Sequence, residues 1–253
     1  MGTQLFDRLG PRKVKLTEEG RTFYELVSPL LDGIETLKDR FQEAQGKAQK
    51  GSIRVATHSS VMVYLLPEAI KKFKMKFPEC ELSIVNRGKK DIVSMIQNGE
   101  ADVGICSLTE VPANIEYEVF AKFKRLLITA KGHPLSKKST ITLKDIAQYP
   151  LIVPPQGSNT RTIIDQIFDQ NGLKPKISME VTGRAAIKTY VEMKMGISII
   201  NEFYIANEDK KKLFCKDISH YFGEAERGTL TRKEKYLTPT VKKFIDMIFA
   251  KLK

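Results

Sequence analysis

The chain has 253 residues, 42% of them hydrophobic, which is enough apolar sequence for two cores of about 100 residues each and too much for a disordered chain. Its net charge of +12 sits mostly in residues 131–253, with 22 basic and 13 acidic groups, and reads either as a solvated basic surface or as attraction for DNA or an anionic ligand. No run of 18 apolar residues and no apolar leader occurs, so no membrane partner is expected and the protein is expected to be cytoplasmic.

The chain opens with "LFDRLGPRKVK", a basic turn carrying Arg8, Arg12, Lys13 and Lys15, and runs through Leu16 and Thr17 into a helix. Phe23, Leu26, Val27, Leu30, Leu31, Ile34, Leu37 and Phe41 recur at spacings of three and four, which makes one apolar helical face. A long helix with one such seam packs on a copy of itself. Pro29 cannot donate to the helical ladder, so a kink or a break is expected near it. The polar stretch "QEAQGKAQKGS" then reads as a linker.

After Gly51 strands and helices alternate. "SIRVAT", "ELSIVNRG" and "ADVGICS" read as strands, separated by the helices "SVMVYLLPEAIKKFKMKF", interrupted at Pro67, and "KKDIVSMIQNGE". This order implies a mostly parallel sheet covered on both faces. The extended stretch "EYEVFAKFKRLLITAKG" and the segment "HPLSKKSTIT" lead to a second set. It comprises helix "LKDIAQY", strand "PLIVPP", helix "TRTIIDQIFDQNG", strand "KISMEV", helix "AAIKTYVEMKM" and strand "GISIIN". A further strand candidate, "RGTLTRKEKY", precedes a last helix, "TPTVKKFIDMIFAKL", that can cross back onto the first lobe. Two α/β lobes joined by long extended segments make a hinged clamshell.

In an open α/β sheet, ligands bind at the carboxyl ends of the strands, where helices start and point bare N–H groups outward. There the sequence sets His58, Ser59 and Ser60 after the first strand and Ser107 after the third, with Ser158, Asn159 and Thr160 opening a helix of the second lobe. Each hydroxyl can serve as a helix cap; the set together favours a small polar or anionic ligand held between the lobes. Arg87 in "NRG" and Thr182 with Arg184 in "TGRAA" also follow strands, where a guanidinium can grip an oxyanion or make a surface ion pair.

No glycine-rich phosphate loop, nucleophile elbow or carboxylate pair stands at these strand ends, so the site reads as one that binds and does not react, with no cofactor and no enzyme activity. Cys80, Cys106 and Cys215 lack C-x-x-C spacing and are expected as buried free thiols. His58, His133 and His220 make no H-x-x-x-H pair, so no metal site is expected.

Over essentially the whole chain the residues resemble the LysR-type transcriptional regulators. "LFDRLGPRKVKLTEEG" is similar to the wing of that family's winged helix-turn-helix and its join to the linker helix. "FKMKFPECELSI", "IQNGEADVGI", "GHPL", "YPLI", "DQNGLKP" and "VEMKMGISII" are similar, in order, to its effector-binding domain. The resemblance implies two Rossmann-like subdomains of the periplasmic-binding-protein type II fold behind a linker helix. It divides the chain into 1–16 (wing), 17–50 (linker and dimerisation helix), 52–128 with 230–253 (subdomain I) and 129–229 (subdomain II).

"ATHSSVMVYLLP" and "IKTYV" resemble the branch of cysteine-biosynthesis regulators, which implies a sulfate-like anion or sulfur metabolite at Ser60, Ser107 and Thr160. It also implies a homo-oligomer, dimer or tetramer. The family's base-reading helix lies ahead of the wing and outside this sequence. DNA contact is therefore expected only to phosphate, through Arg8, Arg12, Lys13 and Lys15. The competing readings are a transport-type solute-binding protein with the same clamshell, and a short protein that pairs with full-length regulators.

Overall fold

The computed structural model describes residues 2–8, 10, 14–44, 51–233 and 235–250. Arg12 and Lys13 of the basic turn lie outside them. In chain order the first elements are β1 (Phe6–Arg8), β2 (Val14–Leu16), α1 (Glu18–Ala44), β3 (Ser52–Thr57), α2 (Ser59–Tyr64), α3 (Pro67–Lys76), β4 (Glu81–Asn86), α4 (Lys89–Gln97) and β5 (Val103–Cys106). Next come β6 (Ile115–Phe123), β7 (Arg125–Ala130), α5 (Leu143–Ala147), β8 (Leu151–Val153), α6 (Asn159–Gln170), β9 (Ile177–Glu180) and α7 (Arg184–Glu192). The last are β10 (Ser198–Asn201), α8 (Asn207–Lys212), β11 (Leu213–Asp217), α9 (Ser219–Phe222), β12 (Ala225–Arg232) and α10 (Pro239–Ala250).

β1 and β2 pair antiparallel, with Phe6 opposite Leu16 and Arg8 opposite Val14. Thr17 joins this hairpin to α1. Its oxygen accepts the Gly20 N–H at 2.9 Å, its hydroxyl donates to the Gln4 carbonyl at 2.8 Å, and its N–H donates to the Leu5 carbonyl at 3.1 Å. One side chain thus caps the helix and holds the strand before it. Gly20 has to be glycine for this approach, since a Cβ there would stand 1.9 Å from the Leu5 carbonyl oxygen.

α1 is one continuous helix through Pro29, and the break expected there does not occur. Proline removes a single ladder bond, whose acceptor would be the carbonyl of exposed Glu25, where water can replace it. The apolar seam lies open: Leu26, Leu30, Leu31, Ile34, Leu37 and Phe41 are 56 to 68% exposed.

The chain falls into two compact units. The first comprises residues 1–62, 66–120 and 228–253, the second residues 63–65 and 121–227. In the first unit the strand order is β4-β3-β5-β12-β6. β3 runs parallel to both β4 and β5, and β12 returns antiparallel beside β5. Pro67 starts α3 at a position whose N–H would be unused, so it divides α2 from α3 at little cost.

Helix α4 lies directly on β5, with Ile92 and Ile96 fully buried. A Cβ on Gly104 would meet the Ile92, Ile96 and Leu230 side chains at 3.0 to 3.1 Å. The last helix, α10, packs on α3, with the Phe73 and Phe244 rings 5.1 Å apart.

In the second unit β7 is the central strand, antiparallel to β10 on one side and β11 on the other. β8 and β9 pair in parallel, and a bridge between Leu151 and Ile197 joins them to the approach of β10. The two-residue period of a strand distributes these side chains. Leu127, Leu151, Val153 and Ile199 enter one core cluster with Ile164 and Phe168, while Ile128, Ile152 and Ile200 enter another with Ile187 and Val191. Both sheet faces are therefore buried, which explains the unbroken apolar runs of these strands.

Candidate functional site

In the first unit three parallel strands end in line. Thr57 lies opposite both Asn86 on β4 and Ile105 on β5. The buried Thr57 hydroxyl donates to the Ile105 carbonyl at 2.7 Å, and the Arg87 N–H donates to the Thr57 carbonyl at 2.9 Å. The Ser59 N–H donates to the Asn86 side-chain oxygen at 2.8 Å, which fixes the start of α2 against β4.

This register brings His58, Ser59, Ser60, Arg87 and Ser107 to one sheet edge. Ser59 is exposed and its hydroxyl makes no hydrogen bond among the described residues; His58, Ser60 and Ser107 are half-buried. Arg87 is exposed, and its Nη1 donates to the Asn86 carbonyl at 2.9 Å. The strand ends 57–61, 86–88 and 106–109 contain no carboxylate.

In the second unit Ser158 caps α6 by accepting the Arg161 N–H at 3.3 Å, and Asn159 is exposed. Thr160 is buried, yet its hydroxyl makes no hydrogen bond among the described residues. Arg161 is committed elsewhere: Nε donates to Asp165 at 2.8 Å and Nη1 to Glu180 at 2.9 Å, and these partners, Asp165 foremost, raise its pKa.

Thr182 is exposed. Arg184 follows Gly183, whose φ of 97° favours glycine, and is the first residue of α7. Its guanidinium carbon lies 5.4 Å from the centre of the Tyr204 ring.

Sequence reasoning missed four residues that the structure places among these groups. Asn86 anchors α2. Arg125, at the start of the otherwise apolar β7, is 3% exposed. Tyr204 is buried, and Arg227 donates to its hydroxyl at 3.5 Å. A cation opening the run "RLLITA" was the one signal available for Arg125.

Arg8 and Lys15 stand exposed on the β1–β2 hairpin. Cys80 and Cys106 are buried free thiols as expected, whereas Cys215 is half-buried, where burial pushes its pKa up. No group of three His, Cys, Asp or Glu side chains among the described residues is placed to hold a metal ion.

Residues 46–253 match the family model for the LysR substrate binding domain. The chain belongs to the LysR family of transcriptional regulators. It is 31% identical over 249 residues to the HTH-type transcriptional regulator SsuR of Burkholderia cenocepacia, covering 98% of this chain and 80% of that one.

The crystal structure of the cofactor-binding domain of the Cbl transcriptional regulator superposes with a TM-score of 0.73 at 30% identity, covering 81% of this chain and 90% of that one. The regulatory domain of Synechocystis PCC6803 CcmR, in complex with 2-PG, shares the fold with a TM-score of 0.72 at 24% identity, covering 81% of this chain and 98% of that one. The two α/β units are thus those of the periplasmic-binding-protein type II fold used by the family's effector-binding domains. Family membership displaces the transport-type reading. No helix among the described residues is long and apolar enough to cross a membrane.

Proposed function

We propose that this chain is the sensing and self-associating part of a cytoplasmic LysR regulator, and that its effector is a small anion of the sulfate-like class or a sulfur metabolite. The observation that carries the reading is the edge of the first unit, where the ends of β3, β4 and β5 bring serine hydroxyls and backbone N–H groups together with no carboxylate. Neutral donors of this kind hold an oxyanion by sharing its charge over several hydrogen bonds. Thr160, buried with an uncommitted hydroxyl at the start of α6, is a second donor of the same type in the other unit.

The ligand is sensed and not transformed. Self-association runs through the seam of α1, and DNA contact from this part of the protein is to phosphate, through Arg8 and Lys15. The test is calorimetry with inorganic sulfate and thiosulfate on the intact chain and on Ser107→Ala and Thr160→Ala. A hydrogen bond to a charged ligand is worth about 1.5 to 3 kcal/mol, so each variant is expected to bind about 10- to 100-fold more weakly. Affinity within about twofold of wild type in both variants overturns the reading.

A further inference from the structure

β11 is an edge strand: in the sheet β10-β7-β11 it pairs on one side only, antiparallel to β7. The Lys131 N–H donates to the Lys212 carbonyl at 3.2 Å and the Ile218 N–H to the Arg125 carbonyl at 2.9 Å, one at each end of this ladder. Antiparallel hydrogen bonds recur at every second residue, so the backbone groups of Phe214 and Lys216 face β7 while those of Leu213, Cys215 and Asp217 face away from it. The Leu213 N–H is taken by the Asp209 carbonyl in the last turn of α8. The Leu213 carbonyl, both backbone groups of Cys215 and the Asp217 N–H are left without a partner strand among the described residues.

A groove of about 570 Å³ runs along this edge. Leu213, Phe214 and Cys215 all line it, and because successive residues of a strand point to opposite faces, a groove that touches all three follows the edge and not one face. Lys131 and Ser136 border it from the segment after β7, and Lys210 borders it from α8. Burial raises the Cys215 pKa and the Lys210 charge opposes the rise, as a cation beside the thiol does.

The groove is cationic, and the acids of α8 are already matched. Glu208 pairs with Lys211 at 2.7 Å and Asp209 with Lys188 at 2.5 Å, while Lys212 pairs with Glu192 at 2.9 Å. Lys210 is left with no carboxylate, and Lys131 makes no ion pair among the described residues either. Lys216 reaches only the Ser139 carbonyl, at 3.2 Å. Asp217, at the far end of the strand, is held by Lys124 at 3.3 Å. Lysines placed this way repel a second copy of the same edge and leave it open to a strand of opposite charge.

We propose that the open edge of β11 is a docking surface for an extended acidic segment of another protein, which adds as a further strand beside Cys215 and sets its carboxylates against Lys131, Lys210 and Lys216. The outward backbone groups hold the main chain of the segment, and its alternate side chains fall on the two faces, with Lys210 beside Cys215 on one and Lys216 with Phe214 on the other. Backbone pairing alone accepts any extended chain, so the lysines supply the selection. The surface uses none of the residues assigned to the effector, and it stands or falls independently of that reading.

The test uses the intact chain and three terminally blocked peptides of about six residues, the length of an ordinary strand. One is made of glutamate and valine, the second of lysine and valine, and the third is the glutamate peptide N-methylated at every backbone nitrogen. Binding is read by calorimetry and by the rate at which a neutral thiol reagent modifies Cys215, since Cys80 and Cys106 are 0% exposed. The glutamate peptide is expected to bind and to slow the modification at least tenfold, and the lysine peptide to do neither. N-methylation removes the N–H donors and keeps the charges, so it should weaken binding at least tenfold. Lys131→Gln combined with Lys210→Gln should weaken the glutamate peptide at least tenfold without lowering the thermal midpoint, because neither lysine has a carboxylate to lose. Lys71→Gln, exposed on α3, should change nothing.

Equal binding of the N-methylated peptide, on the unaltered chain, shows attraction of charge without strand addition and overturns the proposal. So does equal protection of Cys215 by glutarate alone, which makes the groove a site for a small acid. Protection that grows with protein concentration in the absence of peptide marks a second copy as the occupant, and it too overturns the proposal. Full affinity in the double lysine variant, or no binding of the glutamate peptide at all, removes the acidic partner.

Discussion

The backbone N–H of Ser59 donates to the side-chain oxygen of Asn86 at 2.8 Å, so the first turn of α2 is tied to the end of β4 by one amide. Asn86→Ala frees that turn while leaving the β3–β4 ladder intact. Losing one partly exposed hydrogen bond should lower stability by about 1 kcal/mol in urea melts. If the serine edge holds the effector, sulfate affinity should fall further than stability, since Ser59 and Ser60 lose their fixed direction. An unchanged affinity would show that the start of α2 takes no part in binding.

Gly20→Ala places a methyl group where the Leu5 carbonyl oxygen stands, at 1.9 Å. The hairpin should detach from α1 while both α/β units stay folded. Amide hydrogen exchange at residues 4–8 and 14–17 reads this directly, and faster exchange there with an unchanged main thermal transition is the expected pattern. Thr17→Ala should act in the same direction, because it removes the cap of Gly20 and the bond to Gln4 together.

Leu30 and Leu37, 67% and 62% exposed, lie two turns apart on the open seam of α1. A helix that keeps such a row in water is unusual, and pairing with a second copy would cover it. Light scattering of the intact chain should show at least a dimer. The double change Leu30→Glu and Leu37→Glu should shift it to a smaller species without changing the thermal midpoint of the α/β units. A chain that is monomeric before the change refutes pairing through this helix.

Asp145 accepts from Lys138 at 2.5 Å and from the Thr142 N–H at 2.9 Å in the capping box of α5, and these bonds, Lys138 first, hold its pKa at about 2 against an ordinary 3.8. The folded value is the lower one. Its contribution to stability is therefore present above about 3.8 and is lost as pH falls from there through about 2. Asp145→Asn should flatten the acid limb of the unfolding midpoint over this window and leave the slope near neutrality unchanged.

The strands and helices that the sequence announced are those whose apolar residues repeat with a clear period, such as Ile92 and Ile96 on α4 or Ile164 and Phe168 on α6. Elements without such a repeat were missed. α8 is "NEDKKK", with no buried residue, and β11 buries only Leu213 among its five positions. At the site, the hydroxyls after β3 and β5 were legible because each follows its own strand directly. Arg125, Tyr204 and Arg227 were not, because they come from three separate elements and no spacing in the chain links them. The hydrogen bonds of Arg161 were hidden for a related reason: Asp165 is one turn away, but Glu180 arrives from β9.

Thr17 has a mechanical consequence. The two bonds that Thr17 donates to the carbonyls of residues 4 and 5, with the one it accepts from the Gly20 N–H, leave little slack between the hairpin and the first turn of α1, so the two are expected to move together. The 27 residues of α1 form a lever arm about 40 Å long. A tilt of roughly 5° at its far end sweeps the hairpin, with Arg8 and Lys15 on it, through about 3.5 Å. That displacement approaches the rise of one base pair along a duplex, about 3.4 Å, so a small change of angle at one end of this helix moves the basic turn by a full step of DNA at the other.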